Sequence, residues 1–158
     1  ELILKWAGLE KSEQEKAQLL QQKNQWYLDL IEQLSPAQLL PGSLALLQRL
    51  RNRDLRIALG SASKNALSIL QKTEILDYFD ALIDGNAVQV SKPDPEVFLK
   101  GAEAMTIQPQ YCLVLEDAQA GIDAAKSAQM QVIGVGKPEN LRGADAFVED
   151  LSELVDRF

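Results

Sequence analysis

Two adjacent carboxylates, Glu116 and Asp117, lie within the stretch Leu113-Val114-Leu115-Glu116-Asp117-Ala118-Gln119-Ala120-Gly121-Ile122. The short apolar run with its β-branched valine predicts a buried strand, and the small residues after the acids predict the start of a helix. The pair therefore falls at the carboxyl end of a strand. Neighbouring carboxylates repel unless a proton or a cation lies between them, and open parallel sheets bind their ligands at that edge. A metal site is the chemistry this suggests. The competing explanation is that Asp117 serves only as a helix N-cap, with Glu116 solvated beside it.

Two other loops carry groups of complementary character. Ser61-Ala62-Ser63-Lys64-Asn65 follows an apolar segment and opens a helix, so hydroxyls, backbone amides and a lysine converge within one turn. Each of those groups suits a phosphate, although a capped helix with a surface lysine accounts for them equally well. In Ser91-Lys92-Pro93-Asp94-Pro95, Pro93 disfavours a helical conformation at Lys92 and Pro95 suits the first turn of a following helix. The Lys92 ammonium is thus presented from a stiffened loop, or is a solvated surface charge. Donors, a fixed ammonium and paired acids on one edge fit phosphoryl transfer, whose barrier falls mainly by positioning and charge neutralisation. Lys23 lies on a helical segment that could reach over the same edge, or it faces solvent.

The rest of the composition narrows the chemistry. The 158 residues contain no histidine, which removes Ser-His-Asp and Cys-His catalysis and every histidine-based zinc site. A metal here would be held by oxygen, which favours Mg²⁺. Cys112, the only cysteine, cannot form an internal disulfide, and its place at a strand start predicts a buried thiol. A net charge of −7 and a pI near 4.6 argue against nucleic acid and against a membrane surface, while leaving room for a local basic pocket. No apolar run approaches the roughly 20 residues that span a bilayer and no signal peptide is visible, so a cytoplasmic protein is expected.

The elements that must position these residues follow from periodicity. Ser12 with Glu15 predicts a capping box, after which Ala17, Leu20, Tyr27, Leu28, Ile31 and Leu34 recur at helical spacing. Leu2, Ile3, Trp6 and Leu9 form an earlier apolar face. Residues 1–34 read as a helical appendage, and Ser35-Pro36 with Pro41-Gly42 mark a change of composition. Beyond it the pattern predicts helix 43–53, strand 55–60, helix 64–73, strand 81–84, helix 95–105, strand 112–116, helix 119–129, strand 131–135 and helix 151–157. That alternation calls for an α/β fold, a parallel sheet with helices on both faces.

At this level of detail the chain resembles the haloacid dehalogenase (HAD) superfamily, and within it the β-phosphoglucomutase group. The superfamily pattern is a Ser or Thr after one strand, a Lys before a proline-containing helix start and acids at a later strand end, here Ser61, Lys92 and Glu116-Asp117. Finer likenesses are Ser61-Ala62-Ser63-Lys64-Asn65, Glu116-Asp117-Ala118-Gln119-Ala120-Gly121-Ile122, Ser35-Pro36-Ala37, and Ile133-Gly134-Val135-Gly136 followed by Pro138-Glu139. The resemblance implies a Rossmann-like core over 35–158 and part of a helical cap over 1–34. It also implies that Ser61 holds the transferring phosphoryl group, Lys92 offsets its charge, and Glu116 and Asp117 help hold Mg²⁺. Ala62, Ser63, Lys64 and Asn65 would line a second phosphate of the substrate, with Lys23 reaching down from the cap. The activity implied is interconversion of β-glucose 1-phosphate and glucose 6-phosphate through an aspartyl-phosphate enzyme and a bisphosphate. A phosphatase acting on a small sugar phosphate shares the same core site.

One departure stands out. The family begins with a strand ending in Asp-x-Asp-Gly, which supplies the nucleophile, and no such sequence occurs in these residues. With it are missing the first half of the cap and a central strand between those carrying Ser61 and Glu116, which would leave two edges unpaired. The expectation is a fragment of an enzyme whose nucleophile lies outside these residues. A chain that receives the strand from another molecule, or a non-catalytic remnant or interaction module, are the alternatives. A monomer is expected where the complete protein is present.

Overall fold

The computed structural model describes residues 8–158, so Leu2, Ile3 and Trp6 of the first expected apolar face lie outside the described residues. The chain divides into two compact units, one running through Leu34 and the other spanning Ser35–Phe158.

Within the first unit, α1 (Glu13–Glu32) opens on the expected capping box. The Glu15 amide donates to the Ser12 hydroxyl, and the Glu15 carboxylate accepts from the Ser12 amide at 2.9 Å, which satisfies two otherwise orphaned donors. The predicted apolar face is laid open, however. Ile31 is buried, but Leu20 and Tyr27 are exposed, and so are Leu19, Trp26 and Leu30, which the predicted face did not include.

The second unit is a parallel α/β fold with helices α2 (Ser43–Arg51), α3 (Ala66–Lys72), α4 (Glu96–Ala104), α5 (Gln119–Ser127) and α6 (Ser152–Val155). Its strands are β1 (Ala58–Gly60), β2 (Ala81–Ile83), β3 (Leu113–Glu116), β4 (Gln131–Val135) and β5 (Ala146–Val148). The single sheet of the sequence-based expectation is two: β1-β2 and β3-β4-β5, every pairing parallel. Among the described residues no strand stands between β1 and β3, which is where the sequence lacks the strand that the resemblance calls for.

The three-stranded sheet carries the core on both faces, as the period of two along its strands requires. Val114 and Val132 pack with Ile122, Ala125 and Ala128 on one face. Leu115, Ile133 and Val135 point the other way, onto Leu46 and Leu154 of α2 and α6. The two-stranded sheet is half-buried along its whole length and is backed by α4. Helix α4 also brings Phe98 and Ala102 to the core of the larger sheet, which joins the two halves. No described helix is long and apolar enough to cross a membrane.

Candidate functional site

The two sheets meet at one side chain. Glu116 ends β3 and Gly60 ends β1, and the Lys92 Nζ donates to both: to Glu116 Oε2 at 2.8 Å and to the Gly60 carbonyl at 3.2 Å. The carboxyl ends of β1 and β3 therefore share an edge, as parallel strands joined by crossovers dictate. The third side of the ammonium faces the Phe98 ring, 4.7 Å from its centroid, where the ring's negative face favours a cation. Phe98 also lies against Gly60, where an added Cβ would come within 3.2 Å of the ring. The Lys92 side chain is 16% exposed and that of Glu116 is 8% exposed. Low exposure weakens solvent screening, so the pair interacts far more strongly than a surface ion pair.

Glu116 is held from its other side too. Its Oε1 accepts from the Ala118 amide at 3.1 Å, at the start of α5, where the helix dipole favours negative charge. This reverses the simple capping explanation of the acid pair. Asp117 is not the N-cap, a place taken by Ala118 without a side-chain cap, and Glu116 is not solvated. Asp117 is the exposed member of the pair.

The serine loop is built from its own hydrogen bonds. Ser61 continues the β1-β2 ladder by one step, its amide donating to the Ile83 carbonyl at 2.8 Å. Its hydroxyl oxygen accepts from the Ser63 amide at 3.1 Å, and the Ser63 hydroxyl accepts from the Asn65 amide at 3.2 Å. A hydroxyl that accepts an N–H still has its own hydrogen to donate, so Ser61 retains donor capacity. Helix α3 begins at Ala66 with Asn65 as N-cap, two residues later than predicted, because these turns occupy the loop. Ala62 and Lys64 are exposed, while Ser61, Ser63 and Asn65 are half-buried.

Sequence reasoning overlooked the segment that props this loop. The Gly85 amide donates to the Ser63 carbonyl at 3.1 Å, and the Asn86 side-chain amide donates to the Lys64 carbonyl at 3.2 Å. A Cβ at Gly85 would overlap the Ala62 carbonyl, so glycine is what permits the approach. Asp84 fixes Asn86 in turn, accepting from its backbone and side-chain amides, which hold the Asp84 carboxyl below its ordinary range. The cue was the Asp-Gly-Asn turn after the 81–84 strand. Phe98 was also overlooked, since an aromatic on an amphipathic helix reads as core.

The remaining predicted positions are placed as follows. Lys92 precedes a cis peptide bond to Pro93, and Pro95 is the N-cap of α4, not a residue of its first turn. Lys23 is exposed on α1, in the unit through Leu34. Cys112 is half-buried, not buried as expected, and burial pushes its thiol up from the ordinary range. Among the described residues no cluster of three or more His, Cys, Asp or Glu side chains could hold a metal. Glu116 and Asp117 are adjacent in sequence and offer only oxygen, the donor type a hard cation takes, with both Glu116 oxygens engaged by Lys92 and the Ala118 amide.

A parallel α/β core with charged and hydroxyl groups gathered at the carboxyl edge of its strands is the arrangement of Rossmann-type proteins, which bind their ligands at that edge. The chain belongs to the haloacid dehalogenase-like hydrolase family, whose model matches residues 4–129. It is 42% identical over 156 residues to the β-phosphoglucomutase of Bacillus subtilis, covering 98% of this chain and 69% of that protein. It superposes with a TM-score of 0.88 on the crystal structure of a β-phosphoglucomutase from Clostridium difficile, at 39% identity, over 96% of this chain and 69% of the other. Hexitol phosphatase B of Escherichia coli is 34% identical over 136 residues, 80% of this chain and 60% of that protein.

Proposed function

We propose that the protein transfers phosphoryl groups on small phosphorylated sugars, and that its reaction is the interconversion of β-glucose 1-phosphate and glucose 6-phosphate. The observation that carries this is the Lys92 ammonium, bound at once to the end of β1 and to the acid that ends β3, one residue from Ser61. Ser61 offers its hydroxyl to the transferring group, Lys92 offsets the charge on that group's oxygens, and Glu116 and Asp117 would hold Mg²⁺. The metal, when bound, adds a second positive charge to the phosphoryl oxygens, which steadies the transition state. Ala62, Ser63, Lys64 and Asn65 line the substrate's other phosphate, and Lys23 belongs to the cap unit over residues 1–34. The phosphoryl acceptor of such a reaction is an aspartate that none of this chain's motifs supplies.

The mutase is favoured over a phosphatase by the extent of likeness, 42% identity over nearly the whole chain against 34% over 80% of it. The serine loop adds to that, since a mutase must keep hold of a second phosphate while a bisphosphate turns over. A phosphatase of small sugar phosphates is the second reading, supported by the hexitol phosphatase. Supplying the full-length protein with β-glucose 1-phosphate and Mg²⁺ separates them. Glucose 6-phosphate without stoichiometric inorganic phosphate is the expected product, and phosphate release alone would leave only the phosphatase. The metal assignment is tested with Asp117→Ala. Being exposed, Asp117 contributes little to folding, so the Mg²⁺ concentration for half-maximal activity should rise by about tenfold or more with thermal stability unchanged. An unaltered Mg²⁺ response would remove Asp117 from the site.

A further inference from the structure

Building on the assignment of Glu116 to the phosphoryl-transfer site, we propose that Gly121 is a positioning residue for that carboxylate and, through it, for Lys92. Gly121 is the third residue of α5 and is buried. A Cβ added there would overlap Cδ, Oε2 and Cγ of Glu116, and these are its three nearest atoms. Oε2 is the oxygen that accepts from Lys92 at 2.8 Å. The hydrogen that glycine carries in place of a side chain is therefore what lets the Glu116 carboxyl fold back over the first turn of α5.

Nothing else about the position calls for glycine. Gly121 is not among the glycines with positive φ, and glycine inside a helix is disfavoured against alanine because it has more backbone entropy to lose. Gly101, inside α4, is a useful contrast. A Cβ there would meet Ala58 Cβ at 3.6 Å and Ile83 Cγ1 at 3.9 Å, which is ordinary packing distance. Helix α5 cannot back away to make room, because Ile122, Ala124 and Ala125 on its inner face are fully buried. An exposed glutamate would simply swing aside. Glu116 can do so only by giving up its bonds to Lys92 and to the Ala118 amide, which strands an ammonium in a largely desolvated place.

The test is a double-mutant cycle in the full-length protein, read by thermal melting and by Mn²⁺ titration followed by electron paramagnetic resonance. Gly121→Ala should lower the melting midpoint by about 6 °C or more while Glu116 is present, and by nothing once Glu116→Ala removes the atoms it would strike. Gly101→Ala should leave the midpoint unchanged or raise it. Gly121→Ala should also weaken Mn²⁺ binding by about tenfold, the scale of second-shell losses in metal sites. An equal loss of stability with and without Glu116 would overturn the proposal, since the glycine would then serve only the packing of α5. Should the single variant not fold, recovery of folded protein on adding Glu116→Ala is the expected rescue, and failure of both variants counts against the proposal. Coupling in the melts with unchanged Mn²⁺ affinity would uphold the positioning role of Gly121 and sink the assignment of Glu116 to the metal.

Discussion

The two sheets of the α/β unit end at the same site but are built differently. In β3-β4-β5, alternate side chains enter two separate apolar clusters, and Val132 at its centre is fully buried. In β1-β2 every residue is half-buried. Glu116 accordingly comes off a strand anchored on both faces, whereas Ser61 comes off a strand anchored by one partner strand and by α4. The serine loop draws its order from local hydrogen bonds and from Gly85-Asn86. A buried, preorganised charge pair and a locally tied hydroxyl loop differ in what holds them. The first depends on how remote segments exclude water, and the second on hydrogen bonds made close by.

Removing the group that joins the two sheets should have the largest effect. Lys92→Ala should lower turnover by about 10²-fold or more, as loss of a transition-state charge partner does, and should also destabilise the fold by leaving Glu116 buried without its cation. A change of less than a few fold in steady-state turnover would make Lys92 a structural lysine.

The difference in packing should be visible in stability. Ile122→Ala, beside the larger sheet and fully buried, should cost about 3 kcal/mol in denaturant unfolding. Leu59→Ala in half-buried β1 should cost roughly half as much. Amide exchange offers a second view, with β4 protected more strongly than β1. Equal costs and equal protection would mean that the two sheets are one cooperative unit.

The smallest expected effect concerns the far end of the weaker sheet. Asp80 accepts from the Ile57 amide at 2.8 Å and pairs with Arg51 at 2.8 Å and Arg56 at 3.2 Å. The Ile57 amide, and then the two guanidiniums, hold its carboxyl below the ordinary carboxylate range. A folded-state pKa below the unfolded one contributes stability that is complete above the ordinary aspartate value and is lost as pH falls through the depressed one. Asp80→Asn should therefore lower the melting midpoint by about 3 °C near neutral pH and by less as the pH falls below 4. A pH-independent difference would show that the carboxylate acts by shape alone.

Much of the fold could be read from local pattern. Strand β4 spans the predicted 131–135, and the capping box at Ser12-Glu15 forms as expected. Strand β5 was not anticipated, because Ala146-Phe147-Val148 is too short to display a period. The 55–60 strand is in register with its partner from Ala58, and at Ile57 the carbonyl still accepts from the Asp80 and Ala81 amides while its own amide goes to the Asp80 side chain. On α1 the helical period was right and the burial was not, because periodicity identifies an apolar face without saying what covers it.

At the site, the sequence by itself determined which residue types stand at which strand ends, since strands, turns and proline-stiffened loops are set by neighbours along the chain. It named Ser61, Lys92, Glu116 and Asp117 as candidates. Only the tertiary structure decided that Glu116 is the buried acid and Asp117 the exposed one. It also decided that Lys92 binds a carbonyl 32 residues before it and a carboxylate 24 residues after it, over the ring of Phe98. The physical reason is desolvation. Whether a charge is worth much depends on how completely other segments exclude water from it, and those segments are remote in sequence.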